Sequence, residues 1–544
     1  MIWEVVGPIF KRMMRKKLLI VREIGPFNRI YGTADAFILC AGSLIGYQCY
    51  SFSAHMEKYG DGGLYSFVIC GIFLSPNIWS FAELLSILPC LGGTFHFTYC
   101  FTNEFIAFMT GWFTILTTGF GAAAQLKAAG SIMDDTFFSG HMANTMKDFM
   151  NLGEKRFLLD SAPDFLALFL SLIFSGIVSA NTSETKLLNS ALYFINQCCL
   201  ICLTILFIGY IDFNNWIPFK LNHLIVLTNS FLSTSVIYST ILTLVFLGEE
   251  AINPSKTLPK AHVLSFIFGL ILFSVFSLLI TLVWNYREIE SSNSIQSILI
   301  YLKLNGLTFI PLIGVTCFVY NSLFIDMFSL TRVVCAMSRD GLLYRVLSRV
   351  EHFNNMPVKP SFICGIVAGV VAMFGRQTTL REIEAISFLM ISAMAPVCTL
   401  RMRYAHNIEH FKGKVSSPHG KPSPTCDVIV LVLKVSVMGM AVTTRHILND
   451  FINIHWISWK ILPLFLFTVS MLISMVFLIL QPMNVTHSPY RVRLIPFVPM
   501  LDIFIHYFAI GNIEAKFLYF IILWALFGLI FYFTYSIWHS KEEI

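Results

Sequence analysis

Long apolar stretches alternate with short polar ones along the whole of this sequence. A helix that crosses a bilayer needs roughly 20 consecutive, mostly apolar residues. Stretches of this kind lie at 33–56, 64–88, 99–126, 162–180, 190–212, 225–247, 261–284, 306–330, 361–376, 383–400, 427–444, 460–481, 494–511 and 517–538. They show no strict alternation of polar and apolar positions, which a membrane barrel requires. The pattern predicts an all-α integral membrane protein with about fourteen transmembrane helices.

The composition supports a membrane protein and argues against a soluble one. Of the 544 residues, 56% are hydrophobic and 12% are charged, and that charged share is about half of what soluble domains carry. A soluble fold cannot bury so much apolar surface in one core. The lipid bilayer is therefore the predicted surrounding of the chain, and no soluble domain is expected.

Basic residues are concentrated on one side of the predicted membrane. The net charge is +6, but the Lys and Arg residues lie in short loops beside apolar runs, which indicates a membrane surface and no nucleic acid partner. With the N-terminus inside, the inner segments hold 23 of these residues and the outer segments hold 12. This asymmetry predicts that both termini are cytoplasmic. It also assigns Arg332 and Arg339 to an inner loop between the eighth and ninth spans.

The sequence gives no sign of a metal centre or of an enzyme. Its thirteen cysteines lie in predicted spans or at their inner ends, so they are read as small buried apolar residues. No nucleophile with a His and an acid at usable spacing is present. We therefore expect no cofactor, no metal and no catalytic residue.

Small residues interrupt the middle of the first span, where residues 41–46 read Ala-Gly-Ser-Leu-Ile-Gly. Two glycines and a serine lower helix propensity and allow backbone groups to open toward a substrate. In transporters with discontinuous helices, such backbone N–H groups hold an anionic substrate group. Close packing of helices through small residues explains the same composition and is favoured on composition alone.

Acidic residues stand at two further places. Glu249 and Glu250 lie at the inner end of the sixth span, before Asn253 and Pro254, which end the helix. They form either a gate with an arginine of the inner surface or two solvated helix ends. Glu83 lies deep in the second span, so it must face the bundle interior and be paired or protonated. It serves either an ion pathway or a bond to a neighbouring helix.

The order of these motifs resembles the cationic amino acid transporters, a branch of the amino acid–polyamine–organocation superfamily. The most specific matches are Gly248-Glu249-Glu250 followed by Asn253-Pro254, and the stretch 332–343, which reads RVVCAMSRDGLL. The second resembles the family's cytoplasmic pattern R-V-x-x-A-M-x-x-D-G-L-L. The resemblance covers most of the chain.

The resemblance implies a LeuT-type architecture, with an inverted repeat of spans 1–5 and 6–10 and four C-terminal spans. The implied divisions are a cytoplasmic basic segment 1–32, a transporter core 33–404, a cytoplasmic loop 405–426, spans 11–14 at 427–538 and a cytoplasmic tail 539–544. The implied substrate is an amino acid, and the implied location is the plasma membrane. A protein partner is not predicted.

The resemblance also places the substrate between the first and sixth spans. The substrate α-carboxylate is expected at the backbone of Gly42, Ser43, Leu44, Ile45 and Gly46. The α-amino group is expected at the carbonyl groups of Tyr238, Ser239 and Thr240. Glu249, Glu250 and Arg332 are expected to form the cytoplasmic gate.

Both halves of this expected site depart from the family pattern. Gln48 and Thr240 stand where the family has glycine, and Leu242 stands where it has aspartate. The larger side chains fill space, and the lost carboxylate removes a partner for a positive charge. We therefore expect an amino acid carrier with weak transport of arginine and lysine. The alternative is a non-transporting relative that acts as an amino-acid sensor, receptor or scaffold.

Overall fold

The computed structural model describes thirteen stretches of the chain. They are residues 2–17, 27–44, 62–150, 157–180, 182–215, 234–235, 238–284, 295–351, 355–404, 415–416, 426–452, 461–486 and 488–542. Regular structure in these stretches is helical except for two strands of two residues each, β1 (Val415–Ser416) and β2 (Val485–Thr486), which pair antiparallel. The predicted all-α class is confirmed.

Nineteen α-helices are present in the described stretches. In chain order they are α1 (Ile2–Met13), α2 (Thr33–Leu44), α3 (Gly62–Ile87), α4 (Thr94–Phe101), α5 (Glu104–Phe137), α6 (His141–Phe149), α7 (Phe165–Ser179), α8 (Thr182–Ile208), α9 (Pro254–Val283), α10 (Ile295–Tyr301), α11 (Phe309–Arg339), α12 (Val358–Phe374), α13 (Gln377–Ser392), α14 (Met394–Tyr404), α15 (Cys426–Ile452), α16 (Ile461–Ile479), α17 (Phe497–Gly511), α18 (Ala515–Phe531) and α19 (Ile537–His539). A π-helical turn, Tyr532–Ser536, joins the last two.

The helices fall on the predicted spans. Within the described residues, nine helical stretches are long and apolar enough to cross a membrane, and four shorter apolar helices lie at the first, fourth, ninth and thirteenth predicted spans. The sixth predicted span is described at 234–235 and from residue 238 onward, with a 3₁₀-helix at Thr240–Phe246. The total of fourteen spans stays a prediction.

Three boundaries differ from the sequence prediction. The sixth span does not end at Asn253 and Pro254, because its 3₁₀-helix ends at Phe246 and Pro254 is the first residue of α9. The third predicted span, 99–126, is divided at Asn103, whose side-chain oxygen accepts a hydrogen bond from the backbone N–H of Ile106 at 2.9 Å and caps α5. The assignment of Arg332 and Arg339 to a loop is wrong, because both lie in the last turns of α11. Their positive charges lower the hydropathy of these turns without ending the helix, since arginine has high helix propensity.

The centre of the bundle is formed by α5 and α11, which pack on each other and on α13 and α8. In the apolar 18-residue part of Gln377–Tyr404, 94% of the residues are buried inside the protein, whereas the share in Ile461–Ile479 is 11%. The later helices α15, α16 and α18 are therefore much less buried, with 33%, 11% and 22% of their apolar stretches inside the protein. The core of the molecule lies among the first ten predicted spans.

Both ends of the chain contact the same end of the bundle. Arg15 lies 3.5 Å from Glu104, and Lys17 lies 2.5 Å from Asp340. The hydroxyl of Ser540 donates to Glu104 at 2.6 Å. We call this end of the bundle, defined by Arg15, Lys17, Glu104, Asp340 and Ser540, the terminal face.

Candidate functional site

Gly42 is the point of closest approach between α2 and the bundle centre. A Cβ placed on Gly42 would lie 2.1 Å from Nδ2 of Asn321 on α11 and 3.3 Å from the ring of Tyr193 on α8. Only glycine fits so close an approach without moving a neighbour. The contact is the helix packing that the small residues of the first span suggested as one of two explanations.

The remaining predicted residues of the first span are described in part. Ser43 lies in the last described turn of α2, and the Leu44 side chain packs on Gly269 of α9, where a Cβ would lie 1.7 Å from Leu44 Cδ2. Ile45 and Gly46 lie outside the described residues. The described half of this segment is therefore held tightly between α9 and α11.

The sixth predicted span is tightly wound where the other half of the site is expected. Tyr238 and Ser239 are helical, and a 3₁₀-helix begins at Thr240 and runs to Phe246. A 3₁₀ run of this length is uncommon because its hydrogen bonds have poorer geometry, and such a run often marks a hinge. This segment contacts both α2 and α11, and α2 contacts α11. The structure thus brings the two predicted halves of the site together beside α11.

A small cavity opens beside the 3₁₀ segment. Its walls come from α3, α13 and the sixth span, and they are apolar except for the carboxamide of Asn77. They are formed by Leu74, Asn77, Ile78, Phe81, Tyr238, Leu242 and Phe388. The cavity measures about 10 Å³, which is room for about one water molecule. Its apolar lining favours an uncharged group over a charged one, because a buried charge without a partner is strongly unfavourable.

Two further acids lie in the bundle centre, and the sequence analysis did not single them out. Asp326 on α11 and Glu384 on α13 are 7% and 2% exposed. Glu384 accepts a hydrogen bond from the hydroxyl of Ser239 at 3.1 Å, and its other oxygen lies 3.0 Å from Arg381. The sequence feature that could have revealed them is an acidic residue within or beside an apolar run, in the eighth and tenth predicted spans. The sequence alone does not indicate that these two residues lie next to the sixth span.

Glu83 contacts α14 and the segment that precedes α17. One carboxylate oxygen lies 2.6 Å from Nη2 of Arg403, and the other accepts the backbone N–H of Val492 at 2.9 Å. Asn484 also bonds to the backbone beside Arg403, with its N–H 2.6 Å from the Arg403 carbonyl. Of the two interpretations of Glu83, an ion pathway or a bond to a neighbouring helix, these contacts agree with the second.

Glu250 and Arg332 form an ion pair that is fully removed from solvent. Nε of Arg332 lies 2.9 Å from Oε1 of Glu250, and both side chains are 0% exposed. The guanidinium also lies 3.6 Å from the centre of the Phe328 ring, which adds a cation–π contact. Burial raises the pKa of the Glu250 carboxyl, and the positive charge of Arg332 opposes that rise. The pair therefore depends on both partners being present.

A second pair lies beside the first and is more exposed. Nη1 of Arg339 lies 3.1 and 3.0 Å from the two carboxylate oxygens of Glu249. The side chains of Arg339 and Glu249 are 24% and 19% exposed. The Phe27 ring lies 5.1 Å from the Arg339 guanidinium and 5.7 Å from that of Arg332. We call Glu249, Glu250, Arg332 and Arg339 the charge lock.

Backbone contacts join the charge lock to the start of the first span. The N–H groups of Ile30 and Tyr31 donate to the Glu250 carbonyl at 2.9 and 3.1 Å, and the N–H of Ile252 donates to the Tyr31 carbonyl at 2.9 Å. Ile30 and Tyr31, which lie just before α2, therefore form one unit with the residues after the sixth span. Arg332 and Arg339, at the end of α11, connect that unit to the terminal face.

Comparison with known proteins identifies the family. The model of the amino acid permease family matches residues 31–498. Cationic amino acid transporter 4 of Mus musculus is 23% identical over 575 aligned positions, which cover 95% of this chain and 88% of that protein. The vacuolar Cationic amino acid transporter 4 of Arabidopsis thaliana is 22% identical and covers 73% of this chain and 68% of its own length.

One relative carries a different kind of name. The Methylthioribose transporter of Bacillus subtilis (strain 168) is 22% identical, and the match covers 74% of this chain and 87% of that protein. The family match spans the first ten predicted spans and the charge lock. The chain belongs to the amino acid permease family.

Proposed function

We propose that this protein carries amino acids with small or uncharged side chains across a membrane by alternating access. The observation that supports this best is the 3₁₀-helix at Thr240–Phe246, which lies against α2 and α11 and beside an apolar cavity. A segment that departs from α-helical geometry inside a bundle offers backbone groups to a ligand. Membership of the amino acid permease family supplies the substrate class.

The substrate is proposed to lie between the first and sixth spans. Backbone N–H groups at Gly42, Ser43, Leu44, Ile45 and Gly46 bind its carboxylate. Carbonyl groups at Tyr238, Ser239 and Thr240 bind its ammonium group. This assignment is supported by the contact between α2 and the 3₁₀ segment.

The charge lock is proposed to close the site toward the cytoplasm. Glu250 and Arg332 join the unit formed by the first and sixth spans to α11, so that unit cannot move away from α11 while the pair is intact. In alternating access one group of helices moves against another around the binding site. The lock is intact here, which matches a form that is closed at the terminal face.

The orientation follows from the distribution of Lys and Arg. We propose that the terminal face, with both chain ends, lies in the cytoplasm, and that the protein resides in the plasma membrane. Labelling of a single cysteine placed at the exposed position Val346 tests the orientation. Rapid reaction with an impermeant reagent in intact cells would place this loop outside.

The proposed preference for uncharged side chains follows from three positions. Gln48 and Thr240 add volume where glycine is expected, and Leu242 contributes an apolar wall to the cavity where aspartate is expected. The relative named as a methylthioribose transporter supports this direction, because methylthioribose is uncharged. The names of the other relatives point to basic amino acids, so the preference can be decided by experiment.

Uptake by the purified protein in liposomes tests the function. A panel of radiolabelled neutral and basic amino acids and methylthioribose is offered, and protein-free liposomes give the background. We expect saturable uptake of small neutral amino acids and little uptake of arginine or lysine. Robust arginine uptake would refute the preference. Saturable binding without uptake of any substrate would favour the sensor or scaffold alternative.

A further inference from the structure

The buried charges in the bundle centre do not balance. The position that a Cβ on Gly121 would take lies 3.1 Å from Oε1 of Glu384 and 3.2 Å from Oδ2 of Asp326. The two carboxylates therefore converge on the same point of α5. Arg381 lies 3.0 Å from Glu384 and is the charged group, among the described residues, that faces this pair. Two acids face one base.

Two buried oxygen-bearing groups in this region lack partners. Glu384 accepts from Ser239 and Arg381, but the Asp326 carboxylate accepts no hydrogen bond from any residue that the structure describes. Gln125 lies one turn from Gly121 on α5 and donates from Nε2 to Ser322 at 2.6 Å, one turn from Asp326 on α11. The Oε1 atom of Gln125 is buried without a partner in the described structure. Buried polar atoms are normally satisfied, so these oxygens can accept a hydrogen bond from a further donor.

The charge imbalance indicates that the missing hydrogen-bond donor carries a positive charge. An ionised carboxylate buried without a partner is strongly unfavourable, and two neighbouring carboxylates resist ionising together. One added positive charge would leave Asp326, Glu384 and Arg381 neutral as a group. The same group would then hold a hydrogen-bond donor at Asp326.

The surroundings of the pair favour the smallest cation. The positive charge of Arg381, 3.0 Å from Glu384, repels a further ammonium or guanidinium group. A proton needs no additional volume, because it binds to an oxygen that is already there.

We propose that Asp326 and Glu384 together hold one proton, and that this proton is carried across the membrane with an amino acid that binds beside Ser239. The proton is bound as an O–H group on one of the two carboxylates. On release the O–H bond breaks, its electron pair stays on the carboxylate oxygen, and the proton passes to water. The inference rests on the proposed function for its substrate and adds a coupled ion to it.

The hydroxyl of Ser239 is the link between the proton and the substrate. This hydroxyl donates a hydrogen bond to Glu384. The backbone of Ser239 belongs to the segment that is proposed to bind the substrate ammonium group. A substrate that moves this segment changes a hydrogen bond to Glu384. A carboxylate that loses a hydrogen bond holds its charge less readily and binds a proton more tightly.

Infrared spectroscopy of the purified, full-length protein tests whether the proton is there. A protonated carboxyl group gives a C=O stretch that is separate from the carboxylate bands. We expect this band at neutral pH in the unmodified protein and its loss or marked shift in Asp326→Asn and in Glu384→Gln. Asp160→Asn, which alters a carboxylate paired with Lys127 at 3.0 Å outside the cluster, should leave the band unchanged. Absence of the band in the unmodified protein overturns the inference.

Transport in proteoliposomes tests whether the proton moves with the substrate. A pH-sensitive dye is trapped inside, and alanine is offered outside with and without an inward proton gradient. We expect alanine to acidify the lumen and the gradient to raise its uptake about fivefold or more, the lower range of coupling between two ligands. In Asp326→Asn the acidification and the gradient effect should both disappear, whereas Asp160→Asn should retain them.

The remaining outcomes separate the two proposals. Alanine uptake that ignores the gradient, with the infrared band present, makes the proton structural and overturns the coupling. Selective loss of basic substrates in Asp326→Asn, with coupling retained, shows that the pair binds a substrate side chain and also overturns the inference. If no substrate is bound or transported at any pH, the proposed function and the coupling fail together, and the infrared band still decides whether the pair holds a proton.

Discussion

The charge lock and the acidic pair of the bundle centre differ in one respect, the balance of their charges. The lock contains two acids and two bases, and each acid lies within 3.1 Å of its own arginine. The central cluster contains Asp326 and Glu384 with Arg381, and one carboxylate is left without a counter-charge. Both regions border the sixth span, one at its end and one at Ser239.

This difference separates two tasks that buried charges perform. A balanced buried pair is complete by itself, so its role is to hold two segments together, and its loss exposes an uncompensated charge. An unbalanced cluster is complete only with a ligand, so its occupancy can change during function. Substitutions in the two regions should therefore have opposite consequences for stability.

The largest effect is expected for Arg332→Gln. The change leaves the buried Glu250 carboxylate without its partner, and breaking a buried pair from one side costs about 3–5 kcal/mol. Denaturant unfolding in detergent micelles measures the change in the free energy of unfolding. The double variant Arg332→Gln with Glu250→Gln should recover part of the loss, because no lone charge remains. A loss below about 1 kcal/mol for Arg332→Gln would mean that the pair is hydrated.

A larger side chain at Gly42, where α2 meets α11, should lower the free energy of unfolding by an intermediate amount. Gly42→Ala places a methyl group 2.1 Å from Nδ2 of Asn321, and overpacking of this kind costs about 1–3 kcal/mol. Gly119→Ala on α5 is the matched control, because a Cβ there has no neighbour within 4 Å and should gain roughly 1 kcal/mol of helix propensity. Equal stability of the two variants would contradict the close approach of α2 and α11.

The outer pair of the lock should matter less than the inner pair. Arg339→Gln removes an interaction between side chains that are 24% and 19% exposed, and exposed pairs contribute about 0–1 kcal/mol. The remaining effect should shrink in high salt, since exposed charges are screened. Denaturant unfolding at low and high salt measures both quantities. A loss as large as that of Arg332→Gln would erase the distinction between the two pairs.

The smallest loss is expected in the central cluster. Asp326→Asn removes the surplus acid and keeps the shape of the side chain, so the free energy of unfolding should change by less than about 1 kcal/mol or rise. The same denaturant titration measures it, with Asp160→Asn, outside the cluster, as the control. Destabilisation by several kcal/mol would show that Asp326 has a partner and that the cluster is balanced.

The sequence predicted the helices well because hydropathy over 20 residues reports the bilayer directly. It also predicted a role for Glu249, Glu250 and Arg332 together, although the gate itself stays a prediction. It failed where charge and helix coincide: Arg332 and Arg339 lie in α11, because arginine does not end a helix. The polar Asn103 escaped notice as the cap that divides the third predicted span.

The central cluster could not be found from the sequence for a different reason. Asp326 and Glu384 lie 58 positions apart in the chain, and Ser239 lies still further from both. Only the packing of α5, α11 and α13 around Gly121 brings them together. Glu83 was noticed because it stands alone in its span, and its contacts with Arg403 and Val492 connect it to α14 and to the segment before α17.

Counterflow in proteoliposomes tests the central claim, transport of neutral amino acids, most directly. Liposomes are loaded with unlabelled alanine and diluted into a trace of labelled alanine, so that a carrier accumulates label without any ion gradient. We predict transient accumulation of labelled alanine, competition by unlabelled serine, and little effect of arginine. Flat labelling equal to that of protein-free liposomes, in a preparation whose unfolding transition shows that the protein is folded, would contradict transport by this chain.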